Sequence, residues 1–171
     1  MSANFRSVLV PVEIIGLLCG HEQKRKNSCF QSAVEMVLKL QGILEIHEYP
    51  EQNITSNDER GFAPFAGKTK RYGKWEASFE ERKFEPITDN ALEHGRALLK
   101  ERIYPIYSFR WPDGSGYHGF VGFMNEMNDI SFVTKNKLGP SAAKRFNLME
   151  IIIPQKKTEI LIVRLRDLGS I

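Results

Sequence analysis

Cys29 holds the position in this chain that most invites covalent chemistry. The apolar spacing that follows it predicts a helix, which puts the thiol in the first helical turn. Free amides and the positive end of the helix dipole favour a thiolate there, so its pKa is expected to fall. The run Lys24-Arg25-Lys26 adds positive charge in the same direction. An ionised thiol is a good nucleophile, and it needs a base, an orienting group for that base and donors for an oxyanion. His118 follows a Gly-rich turn and opens an apolar strand beside Gly119, where it can approach another element closely. Asn136 ends the next strand and can accept from the second ring nitrogen across a hairpin. Gln23, six positions before Cys29, can join the Cys29 backbone N–H as a pair of oxyanion donors. Each residue also has an ordinary reading: a small core cysteine, a satisfied core histidine, a turn-forming asparagine before Gly139-Pro140, a solvated loop glutamine.

The elements that must position them follow from the hydrophobic period. Phe30, Ala33, Val34, Val37, Leu38 and Gln41 mark one face of a helix from Ser28 to Gln41, with Asn27 or Ser28 as cap and Gly42 after its end. A second helix is expected from Thr88 to about Arg102, with Thr88 as cap and Ala91, Leu92, Leu98, Leu99 and Ile103 as its stripe. The period then switches to two. Strands are expected at Tyr104–Trp111, Tyr117–Met124 and Ile130–Lys135, with turns at Pro112–Gly116 and Asn125–Asp129. Glu150–Ile153 and Glu159–Arg166 read as a closing antiparallel pair. Residues 43–86 read as ordered and loop-rich, because Phe62, Phe65, Tyr72, Trp75, Phe79 and Phe84 need something to pack against. Ser7 to Gly20 reads as an N-terminal strand or buried arm. Helices first and an antiparallel sheet after them make an α+β pattern.

With 171 residues the chain fits one domain, spanning 1–171. Its net charge of +3, on 24 basic and 21 acidic residues, is too even to argue for nucleic acid or an anionic membrane as partner. Two cysteines do not make a disulfide framework, so a reducing compartment is expected. Glu13 and Pro11 interrupt the N-terminal apolar run, and no stretch is long enough to span a bilayer. The expected location is cytoplasmic, or outside the cell by a route without a cleavable signal peptide. A zinc site built from Cys19, His21, Cys29 and His118 or His47 is the metal alternative, but its spacing fits no paired pattern. No cofactor is expected.

Gln23 with Cys29, then His118, then Asn136, in that order, resembles the papain superfamily of cysteine peptidases. Asn27-Ser28-Cys29-Phe30-Gln31-Ser32-Ala33-Val34 is similar to papain's nucleophile helix, including the six-residue step from glutamine to cysteine. Phe132 to Gly139 resembles the family's Lys-Asn-Ser-Trp-Gly segment, with Lys135-Asn136 and Gly139 in register and Leu138 in place of tryptophan. Leu92 to Gly122 is similar to the bacterial papain-fold peptidases related to those that cut double-glycine leaders. The resemblance covers residues 22–42 and 90–140, about half the chain. It departs at Phe30, where tryptophan is usual, at the basic segment before Cys29, and through residues 43–86. It implies a papain-like fold, the nucleophile helix packed on a C-terminal antiparallel sheet. It also implies a thiolate–imidazolium pair of Cys29 and His118, Asn136 holding the ring, and Gln23 in the oxyanion hole. The implied activity is cleavage of peptide bonds in a protein or peptide substrate through a thioester. The same triad supports deamidation or acyl transfer by an effector or toxin, and a third reading keeps the fold as a non-catalytic binding module. Trp75 and Trp111 would line the cleft or belong to the core.

Overall fold

The apolar positions gather on one antiparallel sheet with helices on both of its faces. A computed structural model of the protein describes residues 9–18, 20–25, 27–54, 61–84, 89–110, 116–134, 144–146 and 158–169. Helix α1 spans Pro11–Leu18, α2 Cys29–Leu40, α3 Pro50–Ile54 and α4 Asp89–Lys100. The strands are β1 Thr69–Tyr72, β2 Trp75–Phe84, β3 Ile106–Arg110, β4 Tyr117–Met124, β5 Ile130–Thr134, β6 Lys144–Phe146 and β7 Thr158–Asp167. They form a seven-stranded sheet in the order β1-β2-β7-β3-β4-β5-β6.

Two expectations change here. The N-terminal apolar run is a helix and not a strand. Pro11 is tolerated in a first turn, where its missing N–H costs nothing, and Ile14 and Leu18, one turn apart, bury the same face. Strand β7 runs between β2 and β3. It pairs with β2 from Trp75↔Asp167 to Phe84↔Thr158, and with β3 at Ile106↔Leu161. Its expected partner, Glu150–Ile153, lies outside the described residues. The loop-rich middle holds α3 and the β1–β2 hairpin, and Phe65, in the turns before β1, packs 5.2 Å from Phe79 on β2.

Helix α2 is buried along Phe30–Leu40, on its polar positions as well as its apolar ones. It ends as the sequence predicts: Gly42 takes φ 78°, its N–H reaches Lys39 O, and Ile43 N–H reaches Leu38 O. Two glycines on β4 place the helices. A Cβ on Gly119 would meet Ala33 Cβ at 3.2 Å, so α2 lies on that face. Gly122, an odd number of residues on, faces Pro105, Ile130 and Tyr107. That is the face of α4, whose Ala91 carbonyl accepts from the Tyr107 hydroxyl at 2.8 Å. Tyr107, Phe109, Phe120 and Phe132 stack and cross edge-on over the same face. The two helices therefore clamp opposite faces of one strand pair.

Candidate functional site

Cys29 starts α2 and is partly exposed. Ser28 occupies the cap position at φ −104°, ψ 27°, but its side chain caps nothing. Its hydroxyl lies instead 2.8 Å from Gln52 Oε1 and 2.9 Å from Arg25 O. Three backbone N–H groups, of Gly119, Phe30 and Cys29 itself, act on the sulfur and favour its charged form. Burial outweighs them and pushes the thiol above its ordinary value. The expected fall in pKa is thus reversed, because the helix tip is set down on the sheet and loses water. Lys24 turns to Glu22, at 3.7 Å, and to the ring of Tyr49, at 4.3 Å; Lys26 lies outside the described residues.

His118 sits near the start of β4, opposite Phe109, and is 5% exposed. The strand alternates, so its Cβ leaves from the α4 face while Gly119 faces α2. The ring packs edge-on to Phe120 at 5.2 Å, and Nε2 lies 2.5 Å from Thr134 Oγ1. The Thr134 hydroxyl has one proton, and it donates that proton to Gly119 O at 2.9 Å. Toward the ring it can only accept, so Nε2 carries the imidazole proton and Nδ1 holds the lone pair. Burial holds the ring's pKa down at about 4. Thiol and imidazole are therefore both neutral at rest. Burial thus disfavours the implied thiolate–imidazolium pair.

Gln23 is buried, and its Nε2 donates to Arg25 O at 2.9 Å, so one of its two amide protons stays within the loop. Asn136 lies outside the described residues. Thr134, two residues earlier in the sequence, is the group found on the His118 ring. Strand alternation offers the signal for it, since a step of two keeps the same face. Trp75 is buried on β2, and Trp111 lies outside the described residues.

A second buried polar group joins α2 to the segments on either side of it. Glu35 and Lys39, on the polar side of α2, are buried with His21. Lys39 Nζ lies 2.6 Å from His21 Nδ1 and donates to Ile46 O at 2.9 Å; His21 Nε2 is 2.9 Å from Ser32 Oγ and 3.5 Å from Glu35 Oε1. Burial raises the Glu35 carboxyl to about 7 and lowers the Lys39 ammonium to about 8. Glu35 also accepts from the Glu51 and Gln52 N–H groups, each at 3.0 Å, and from the Gln52 side chain. Nothing in a helical period distinguishes such a face from a solvated one. The engaged nitrogens of His21 also remove it from the zinc alternative, whose Cys19 lies outside the described residues. Among the described residues no three metal-ligating side chains group together. No helix among them is long and apolar enough to cross a membrane. Compared with protein-family models, curated proteins and solved structures, the chain matches none of them.

Proposed function

We propose that this protein is a papain-like thiol hydrolase of peptide or other amide bonds, with Cys29 as nucleophile and His118 as base. The observation that carries the reading is the seat of α2 on β4. A Cβ on Gly119 would lie 3.3 Å from Cys29 O, and the Gly119 N–H acts on the Cys29 sulfur. The strand residue next to the histidine is thus in contact with the helix tip that bears the thiol. The pair starts neutral. The chemistry requires the His118 side chain, which leaves the other face of β4, to reach round the start of the strand to the sulfur; Nδ1 then takes the thiol proton as sulfur bonds to the carbonyl carbon of a bound substrate. The carbonyl electron pair moves to oxygen, which the Cys29 N–H and the Gln23 amide receive. Collapse of that intermediate expels the amine, which leaves with the imidazolium proton. Water then attacks the thioester with the same base and frees the acid. Thr134 holds the ring in the required tautomer, and Asn136 is a further orienting candidate.

A binding module on the same fold is the second reading, and the burial that favours the neutral form of both the thiol and the imidazole supports it. Hydrolysis of p-nitrophenyl acetate and alkylation by iodoacetamide separate the two. Cys29→Ala is expected to abolish hydrolysis with the fold intact, since removing one sulfur at a helix start leaves little cavity. His118→Ala should slow it roughly 10²–10⁴-fold. Full hydrolysis by Cys29→Ala sinks the hydrolase. Product mass on a glutamine-containing peptide then tells cleavage from deamidation.

A further inference from the structure

We propose that Gln52 is a positioning residue, a clamp that sets the oxyanion arm against the nucleophile helix; this rests on the hydrolase reading above. Gln52 lies on α3, is 1% exposed and reaches across to residues 22–28. Its Oε1 accepts from the Lys24 N–H at 2.6 Å and faces the Ser28 hydroxyl at 2.8 Å. Its Nε2 donates to Glu22 O at 2.9 Å and to Glu35 Oε1. A primary amide has two protons and two acceptor sites; both protons are used here, and the second acceptor site faces a Ser28 hydroxyl whose one proton is shared with Arg25 O.

The choice of partners gives the arrangement its meaning. The Glu22 carbonyl belongs to the peptide unit before Gln23, and the Lys24 N–H to the unit after it. Gripping both fixes the direction in which the Gln23 Cα–Cβ bond leaves the chain. The grip is referred to α2, because Glu35 holds the Gln52 backbone N–H at 3.0 Å as well as its side chain. The helix that presents the sulfur thus also locates the arm that presents the oxyanion donor. Chain connectivity alone would leave that relation loose, since the described residues of 20–28 make no regular element before Cys29 apart from a single bridge at Gln23. Glu35 is buried for the same reason: its carboxylate is the anchor of the clamp.

The arm carries its own reporter, the trypsin sites Lys24, Arg25 and Lys26. In Gln52→Leu, which keeps bulk and loses every polar contact, tryptic cleavage at these residues is expected to quicken about tenfold. Hydrolysis of p-nitrophenyl acetate should fall roughly 10²-fold through misplacement of the donor. Alkylation of Cys29 should hold within about twofold, since the thiol's own surroundings do not change. Gln52→Glu guards against a leucine variant that folds badly. In mildly acidic buffer the introduced carboxyl is protonated, donates toward Glu35, still accepts from the Lys24 N–H and gives hydrolysis above the leucine level. In alkaline buffer two carboxylates face each other and hydrolysis drops to the leucine level. Unchanged cleavage in the arm overturns the clamp, and unchanged hydrolysis with faster cleavage overturns its positioning role. Alkylation that falls in parallel with hydrolysis does the same. Should wild type and Cys29→Ala hydrolyse the ester equally, the hydrolase reading fails, and the tryptic ratio alone decides whether Gln52 holds the arm.

Discussion

Two histidines are buried in this molecule, and their surroundings differ in kind. His21 is 0% exposed and meets Ser32 and Glu35 on one ring nitrogen, Lys39 on the other, with Tyr49 stacked at 5.3 Å. His118 stands among phenylalanines, and Thr134 fixes its proton on Nε2. The first ring is locked by charge on both sides, as a structural group is. The second has its tautomer set and its basic nitrogen defined, with burial alone moving its pKa. Burial is common to both rings; the chemistry of their partners sets them apart.

Breaking the charged side of this comparison should have the largest effect. Glu35→Ala leaves Lys39 and three N–H donors buried without the carboxylate, and the expected loss is roughly 3–5 kcal/mol in urea unfolding. His118→Ala, by contrast, should be lost mainly from hydrolysis. If the two variants unfold at the same urea concentration, the distinction between the sites collapses.

Gly119→Ala tests the seat of the helix tip. The new methyl would sit 3.2 Å from Ala33 and 3.3 Å from the Cys29 carbonyl, so α2 must shift, at about 1–3 kcal/mol. Hydrolysis should fall further than stability accounts for. Wild-type turnover in this variant would show that the contact does not matter to the site.

Thr134→Val removes the acceptor on Nε2 and the donor to Gly119 O, at about 1–3 kcal/mol. Imidazole ¹⁵N spectra should show the Nε2–H tautomer of His118 in wild type and in Thr134→Ser, and a mixture in the valine variant. A single unchanged tautomer in all three would remove the assigned role of Thr134.

The smallest effect is a pair of opposed pH dependences. His118 is depressed from 6.5 to about 4, so its contribution to stability is present above pH 6.5 and lost as pH falls through about 4. Glu35 is raised from 4.5 to about 7, so its contribution is present below pH 4.5 and lost as pH rises through about 7. Thermal unfolding of His118→Gln should lose the acid-side decline, and that of Glu35→Gln the rise toward acid. Exchange of these two outcomes would reverse the assignment of the shifts.

Much of the positioning frame was legible before any coordinates. The α2 period, the Gly42 stop and the bounds of β4 all follow from local rules, because side-chain period and glycine's access to positive φ act within a few residues. The N-terminal run shows its burial but not its helical form, because a short apolar run carries no period long enough to tell helix from strand. The residue types of the proposed site can be read from the sequence, and their electrostatics cannot. A helix tip favours a thiolate only while solvent reaches it, and the packing of α2 onto Gly119 reverses the sign. Gln52 and Glu35 gave no signal, since a glutamine in a polar stretch and a glutamate on a helix are ordinary surface residues until a third element covers them.

The sequence by itself determined that a cysteine would begin a helix, that a histidine would open a strand beside a small residue, and that an antiparallel sheet would follow the helices. Those are consequences of spacing and of local backbone preference. Only the tertiary structure decided which groups lose water and which find partners: the neutral thiol, the tautomer of His118, the carboxylate buried behind Gln52. Desolvation and long-range hydrogen bonds depend on what lies across space, and residues dozens of positions apart meet there without leaving a mark in the order of the chain.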